Sequence, residues 1–257
     1  MLAKRHVQRY SAGGRTAGRM LNMTFIERRS SIGPAMPAAP KTLGGAFRAF
    51  RSNRSPWLIG GATIAVAGGR VALGGLTWRD GAAAAFMVVV YPFGEWAIHV
   101  HLLHLRPFRL RGRRVELATA RAHREHHERP NHLGLILLGP IEAAGLLFLA
   151  VPTAVGLLAG LVALLGGPPP VGPLVTAVLT GYALVFTYEW THFLIHTAYR
   201  PRSRYYRSIW HTHRLHHFKN EHYWHGITNT VGDRVFGTNP DQRDVPRSRT
   251  ARTLRPD

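Results

Sequence analysis

AAAFMVVVYPFGEWAIHVHLLH, from Ala83 to His104, is an apolar run of membrane-spanning length that closes on three histidines. About 20 apolar residues in helical form cross the ~30 Å hydrocarbon core of a bilayer. Comparable stretches occupy 57–78, 134–165 and 172–197, and strongly basic segments at 1–56, 106–132 and 198–257 surround them. The mean hydropathy near zero hides this segregation. Buried helices of soluble proteins seldom run so long without a polar face. The pattern therefore predicts an all-α integral membrane helical bundle of about four spans, with a histidine-rich helical cap on its cytoplasmic side.

Of the 33 lysines and arginines, which give a formal charge of +20, all but Arg70 and Arg79 lie in the three basic segments. Basic residues kept beside spans mark the cytoplasmic side, and they attract anionic headgroups, making an anionic membrane surface an expected partner. No basic soluble module with a nucleic-acid-binding pattern is present, so no nucleic-acid partner is expected. The absence of cysteine excludes disulfides and thiolate metal sites. Scarce lysine beside abundant arginine, alanine and glycine suggests a bacterial cytoplasmic membrane. The expected organisation is a disordered or membrane-surface segment over 1–56, a membrane domain over 57–240 and a disordered basic tail over 241–257.

The first span, Trp57 to Trp78, has tryptophan at both ends, where an aromatic belt belongs, but carries Arg70 and three Gly-Gly pairs. Arg79, Asp80 and Gly81 are expected to form a tight outer turn into the second. Residues 134–165 would reach roughly 48 Å as one helix. Pro140 and Pro152 are expected to kink or divide them, giving one net crossing with a re-entrant or interfacial portion. The Gly166-Gly-Pro-Pro-Pro170 turn then lies outside, and 172–197 returns, leaving both termini and the histidine runs on the cytoplasmic side.

Ten of the 16 histidines fall in four runs: His99 and His104; His123, His126 and His127; His192 and His196; His213, His216 and His217. Residues at i, i+3 and i+4 share a helix face, so each triplet can converge, as can His192 and His196. His99 and His104 diverge by about 140° on an ideal helix and need a helix end or a distortion. Imidazole is the commonest protein metal ligand. One ion takes roughly four to six donors, so ten suit two ions at five each. Glu95 and Glu189, each in a Glu-Trp pair just before a histidine run, and Asp233 are candidates to brace the ligands' free ring N–H groups.

Two nitrogen-held metals at a membrane surface could serve hydrolysis, transport or redox chemistry, and imidazole suits zinc, copper, iron and nickel alike. A transporter would place its ligands along a path near mid-membrane, whereas these gather at one face. Ligands capping lipid-embedded helices suit a long-chain substrate entering from the bilayer. Attack on an unactivated C–H bond needs a strong oxidant, which a ferrous pair and O₂ can supply.

With its tail His213-Arg-Leu-His-His-Phe-Lys-Asn220, then Gly226-Ile-Thr228 and Gly232-Asp-Arg-Val-Phe-Gly-Thr238, the chain resembles the fatty acid hydroxylase / sterol desaturase superfamily over roughly 85–240. Within it, the fatty acid 2-hydroxylases are most similar. The resemblance implies a dimetal site of two iron ions held by the ten histidines. It further implies O₂ as co-substrate and an iron-dependent monooxygenase acting on a fatty acid or fatty acyl chain. Desaturation, or a sterol or carotenoid substrate, is the neighbouring alternative; a metal transporter and a silent lipid-binding relative are the others. No cytochrome b5 pattern occurs in 1–56, so electrons are expected from a separate ferredoxin or cytochrome with its reductase, docked on the basic face. His101, His132, His211, His222 and His225 fall outside the matched positions; His6 and His132 read as surface residues, while His222 and His225 lie close enough to the last run to meet substrate.

Overall fold

The computed structural model describes residues 39–254; His6 and most of the predicted N-terminal segment lie outside them. The elements are α1 (Leu43–Arg51), α2 (Arg54–Ala72), α3 (Trp78–Ile98), a hairpin of β1 (Phe108–Leu110) and β2 (Arg113–Val115), α4 (Ala118–Glu128), α5 (Pro140–Gly145), α6 (Val151–Leu164), α7 (Val171–Ile195), α8 (Arg204–Phe218) and α9 (Val231–Val235). The hairpin departs from the all-α expectation, and residues 43–56, placed in the N-terminal segment, are mostly helical.

Helices α2, α3, α5–α6 and α7 form the bundle. Its core includes Ile59, Met87, Leu147, Val151, Ala177 and Val185. The outer surface is apolar: Ile64, Phe148, Leu157 and Leu164 are exposed. A rim of that kind suits lipid, since soluble monomers rarely expose large contiguous apolar patches. Among the described residues, three helical stretches are long and apolar enough to cross a membrane: Trp78–Leu103, Leu133–Leu164 and Val171–Ile195. The expected fourth, α2, forms a helix of 19 residues but is not among them, because Arg54, Arg70 and its glycines dilute its apolar content.

Arg70 turns into the bundle. Its guanidinium donates to Asp80 at 2.7 Å, to Thr176 Oγ1 at 2.9 Å and to the carbonyls of Gly74 and Gly75. Asp80 also accepts from the Thr77 amide, capping α3. One buried ion pair thus ties the end of α2 to the starts of α3 and α7. At the opposite end of α2, Ser55 donates to Glu189 near the end of α7, so α2 runs the full height of the bundle.

In the long apolar stretch both prolines lie at the starts of helices. Pro140 opens α5, where its missing N–H costs nothing. Pro152 sits in the first turn of α6, directly after a π-helical turn over Leu146–Ala150. Such turns release carbonyls from the α-ladder, and Tyr182 OH donates to the Leu147 carbonyl. From Pro140 to Leu164 the chain is one helical stretch about 37 Å long, enough for a single crossing.

Candidate metal centre

The end of α3 solves the five-residue spacing of its histidines. His99–Leu103 form a π-helical turn, with the His104 amide donating to the His99 carbonyl at 3.1 Å. This i→i+5 register carries His104 around toward the face of His99, and their ring centroids lie 5.0 Å apart.

The ten histidines meet in two groups of five. The first comprises His99, His104, His123, His127 and His216; the second comprises His126, His192, His196, His213 and His217. Within each group one ring nitrogen per residue lies within 4.8 Å of all the others. Neither triplet converges on one point as spacing suggested. The outer histidines of α4 (123 and 127) join the first group and the middle one (126) the second; α8 does the reverse, sending 213 and 217 to the second group and 216 to the first. Positions i and i+4 differ by about 40° on a helix, whereas i+3 and i+4 differ by about 100°. Two facing HxxHH helices therefore exchange one ring each.

The donor sets fit metal ions. Nε2 of His99, His104, His192 and His216 and both ring nitrogens of His126 are buried without a protein partner. Nε2 atoms approach in pairs: His127 and His123 at 3.2 Å, His196 and His213 at 2.9 Å, His217 and His213 at 3.1 Å. Two nitrogens bound at right angles to one ion at about 2.1 Å lie about 3.0 Å apart. Backbone carbonyls fix several tautomers. His99 Nδ1 donates to the His225 carbonyl (2.6 Å), His216 Nδ1 to Tyr223 (2.8 Å) and His127 Nδ1 to Ala251 (2.8 Å), which leaves each Nε2 as a lone-pair donor. In the second group, the rings of His192 and His196 hydrogen-bond to the carbonyls of Ile136 and Pro130. Burial holds the rings outside the spans neutral: it pushes His127 down to about 4 and moves His104, His123, His126, His196, His213, His216 and His217 well below the ordinary imidazole range.

The three carboxylates expected to brace ligand rings accept from other donors instead. Glu95 accepts from the amides of Ile227 and Thr228 and from the Thr228 hydroxyl. Asp233 accepts from the amides of His225 and Gly226 and from Thr238 Oγ1. Glu189 accepts from Ser55 and the Leu138 amide. Their reach to the centre is through the backbone: Glu95 and Asp233 clamp residues 225–228, and the His225 carbonyl holds His99. Gly226 is obligatory there, since a Cβ would sit 1.9 Å from the Asn229 carbonyl oxygen.

One contributor escaped the sequence reading. Residues 241–254, expected to be disordered, pack over α4 and α8: Val245, Ala251 and Leu254 are buried, Ser248 N donates to the Lys219 carbonyl, and Arg124 reaches the Leu254 carbonyl. Only the spacing of those three apolar residues hinted at this. His225 is buried, with its ring 5.2–5.6 Å from those of His99, His104 and His216, yet it lies outside either group. Together with His104 and His222 it lines a cavity of about 260 Å³. His101 packs against Trp96; His101, His132 and His211 join neither group.

Helices suited to a membrane, ending in a buried polyhistidine centre, define a membrane protein with two candidate metal positions. The fatty acid hydroxylase family model matches residues 84–238, and the chain belongs to that family. It is 30% identical over 167 residues to the dihydroceramide fatty acyl 2-hydroxylase of Arabidopsis thaliana, an alignment covering 65% of this chain and 64% of that protein. The chain therefore matches somewhat less than two thirds of its relative's length. No solved structure matches.

Proposed function

We propose that this protein is an integral membrane monooxygenase that hydroxylates a fatty acid or fatty acyl lipid. The observation that carries the reading is the pair of five-histidine groups with unpartnered ring nitrogens at the ends of lipid-suited helices. The family supports lipid hydroxylation, and the relative's acyl 2-hydroxylase activity favours an acyl chain attacked near its carbonyl end. Two iron ions, one per group, would supply the O₂ activation that an unactivated C–H bond requires.

The residues divide the remaining tasks. Carbonyls of residues 130, 136, 223, 225 and 251 orient the rings. Burial keeps the rings neutral and bulk water away. Trp96 and Val100, at the end of α3, form an apolar wall beside His104 along which a chain could approach from the bilayer. We take α2 as a fourth crossing, since it spans the height of the bundle and buries Arg70. Basic flanks favour the cytoplasmic side for the centre, and a separate ferredoxin or cytochrome is the expected electron donor.

Expression in a host lacking the activity, followed by lipid mass spectrometry, tests the proposal. Acyl species heavier by one oxygen, absent with His126→Ala, are expected. Species lighter by two hydrogens would reassign the chain to desaturation, and an unchanged lipid profile in metal-loaded membranes would refute both.

A further inference from the structure

The hairpin between α3 and α4 has no part in the metal centre, and its sequence is unusual. Residues 105–115 (LRPFRLRGRRV) hold five arginines and no acid. The register pairs Phe108 with Val115, Arg109 with Arg114 and Leu110 with Arg113. Directly opposed residues share a face of the ribbon. One face therefore carries Phe108, Leu110 and Val115 with Arg113, and the other carries Arg109 against Arg114. Phe108 and Leu110 are 41% and 57% exposed, and all five arginines are exposed.

Three features make this ribbon ill-suited to stand alone in water. An isolated two-stranded hairpin is marginal. Like charges directly opposite each other repel. At the tip, Arg111 and Gly112 both take positive φ (50° and 77°), a turn that prefers Asn-Gly; the arginine gives up local preference and adds a charge there. Among the described residues none of the five arginines forms an ion pair. The following acid, Glu116, is engaged by Arg124.

Position indicates what relieves these defects. Phe108 follows Leu103, the last residue of an apolar stretch able to cross the membrane, by five residues. The root of the hairpin is thus tethered within about 18 Å of that end. We propose that the β1–β2 hairpin is a membrane-surface anchor: Phe108 and Leu110 enter the interface while Arg109, Arg111 and Arg114 bind anionic phospholipid headgroups. Phosphates set against the Arg109–Arg114 pair cancel its repulsion, and the exposed apolar face loses its contact with water. An acidic soluble protein would satisfy the arginines but gives no reason for apolar side chains beside them at the end of a span.

The absence of cysteine makes the test direct. The full chain with Leu110→Cys, labelled with an environment-sensitive fluorophore, is reconstituted into nanodiscs of phosphatidylcholine alone or mixed with phosphatidylglycerol. The anionic discs should give blue-shifted emission and at least about threefold stronger quenching by nitroxides on the upper acyl chain. About 1 M salt, where the Debye length is about 3 Å, should abolish the difference. Arg109→Gln with Arg114→Gln should also abolish it, whereas Arg109→Lys with Arg114→Lys should keep it. Equal quenching in both lipids, insensitivity to the glutamine pair, loss in the lysine pair, or a response only to an added acidic protein would each overturn the assignment. None of these readouts depends on metal or turnover, so the hydroxylase reading can fail without it.

Discussion

The two histidine groups are built from the same parts in opposite roles, yet they are held from different places. The first takes an i, i+4 pair from α4, one ring from α8 and two from the end of α3. The second takes an i, i+4 pair from α8, one ring from α4 and two from the end of α7. Around the first, three rings donate through Nδ1 to carbonyls of the segment after α8, at 223, 225 and 251. Around the second, the carbonyls come from the link between α4 and α5, and Nδ1 of His126, His213 and His217 has no protein partner. Outer partners of a ligand typically change metal affinity 10–100-fold. The comparison thus teaches that the first group depends on the C-terminal segment and the second on helix packing.

The exchanged rings give the largest test. His216→Ala removes a donor from the first group and His126→Ala one from the second, although each residue sits in the run that mainly serves the other. Each variant should hold about one ion per chain instead of about two and lose product formation by at least about 100-fold. Mössbauer spectra of protein loaded with the appropriate iron isotope should lose a different doublet in each case. Loss of the same doublet in both would contradict the exchange.

A smaller effect, confined to one side, is expected from ending the chain after Pro246. This deletes the Ala251 carbonyl that orients His127 and leaves Pro130 and Ile136 in place. Chelator titration should show the first group's ion released 10–100-fold more readily while the second group's release is unchanged. Equal weakening of both would mean that the segment supports the whole cap rather than one group.

How much of this was legible beforehand follows from the range of the interactions. The apolar runs and the histidine spacings are local patterns, so the bundle and the ten rings could be read directly. The partition of each HxxHH triplet depends on two helices facing one another across about 90 residues, which no local period encodes. Glu95 illustrates the same limit: its spacing from His99 suggested a direct brace, but its oxygens meet Ile227 and Thr228, 132 and 133 residues away. The segment over 241–254 was missed because its partners are distant in sequence or belong to other elements, among them Glu221 for Thr250, Asn220 for the Pro246 carbonyl and Arg124 for the Leu254 carbonyl. Its composition, rich in arginine and polar residues, reads as a solvated tail.

The clamp on residues 225–228 offers a finer probe of the asymmetry. Glu95→Gln with Asp233→Asn keeps one acceptor oxygen per side chain but removes the charge that strengthens each bond. The His225 carbonyl should then hold His99 less firmly. Metal affinity in the first group should fall several-fold, up to about 10-fold, with the second group unaffected in the same chelator assay. Equal affinity in the variant would show that the loop keeps its shape without the two charges.

Acid should separate the groups least, because the cause acting on both is the same. Burial lowers the rings of each: His127, at about 4 in the first, and His126, His213 and His217, well below the ordinary range, in the second. In the unfolded chain the same rings titrate near 6.5. Between about 4 and 6.5 the unfolded state therefore binds more protons, and the stability of the metal-free fold rises with pH across that window. As pH falls through it, each such ring costs up to about 1.4 kcal/mol per unit. Protons and metal compete for one lone pair, so metal release should begin below pH 6.5 and the midpoints of the two groups should lie within about one unit. Metal retention and circular dichroism followed from pH 7 to pH 4 check both statements. A separation of two units or more would mean that the carbonyl braces of the first group, and not burial shared by both, set the proton affinity of the centre.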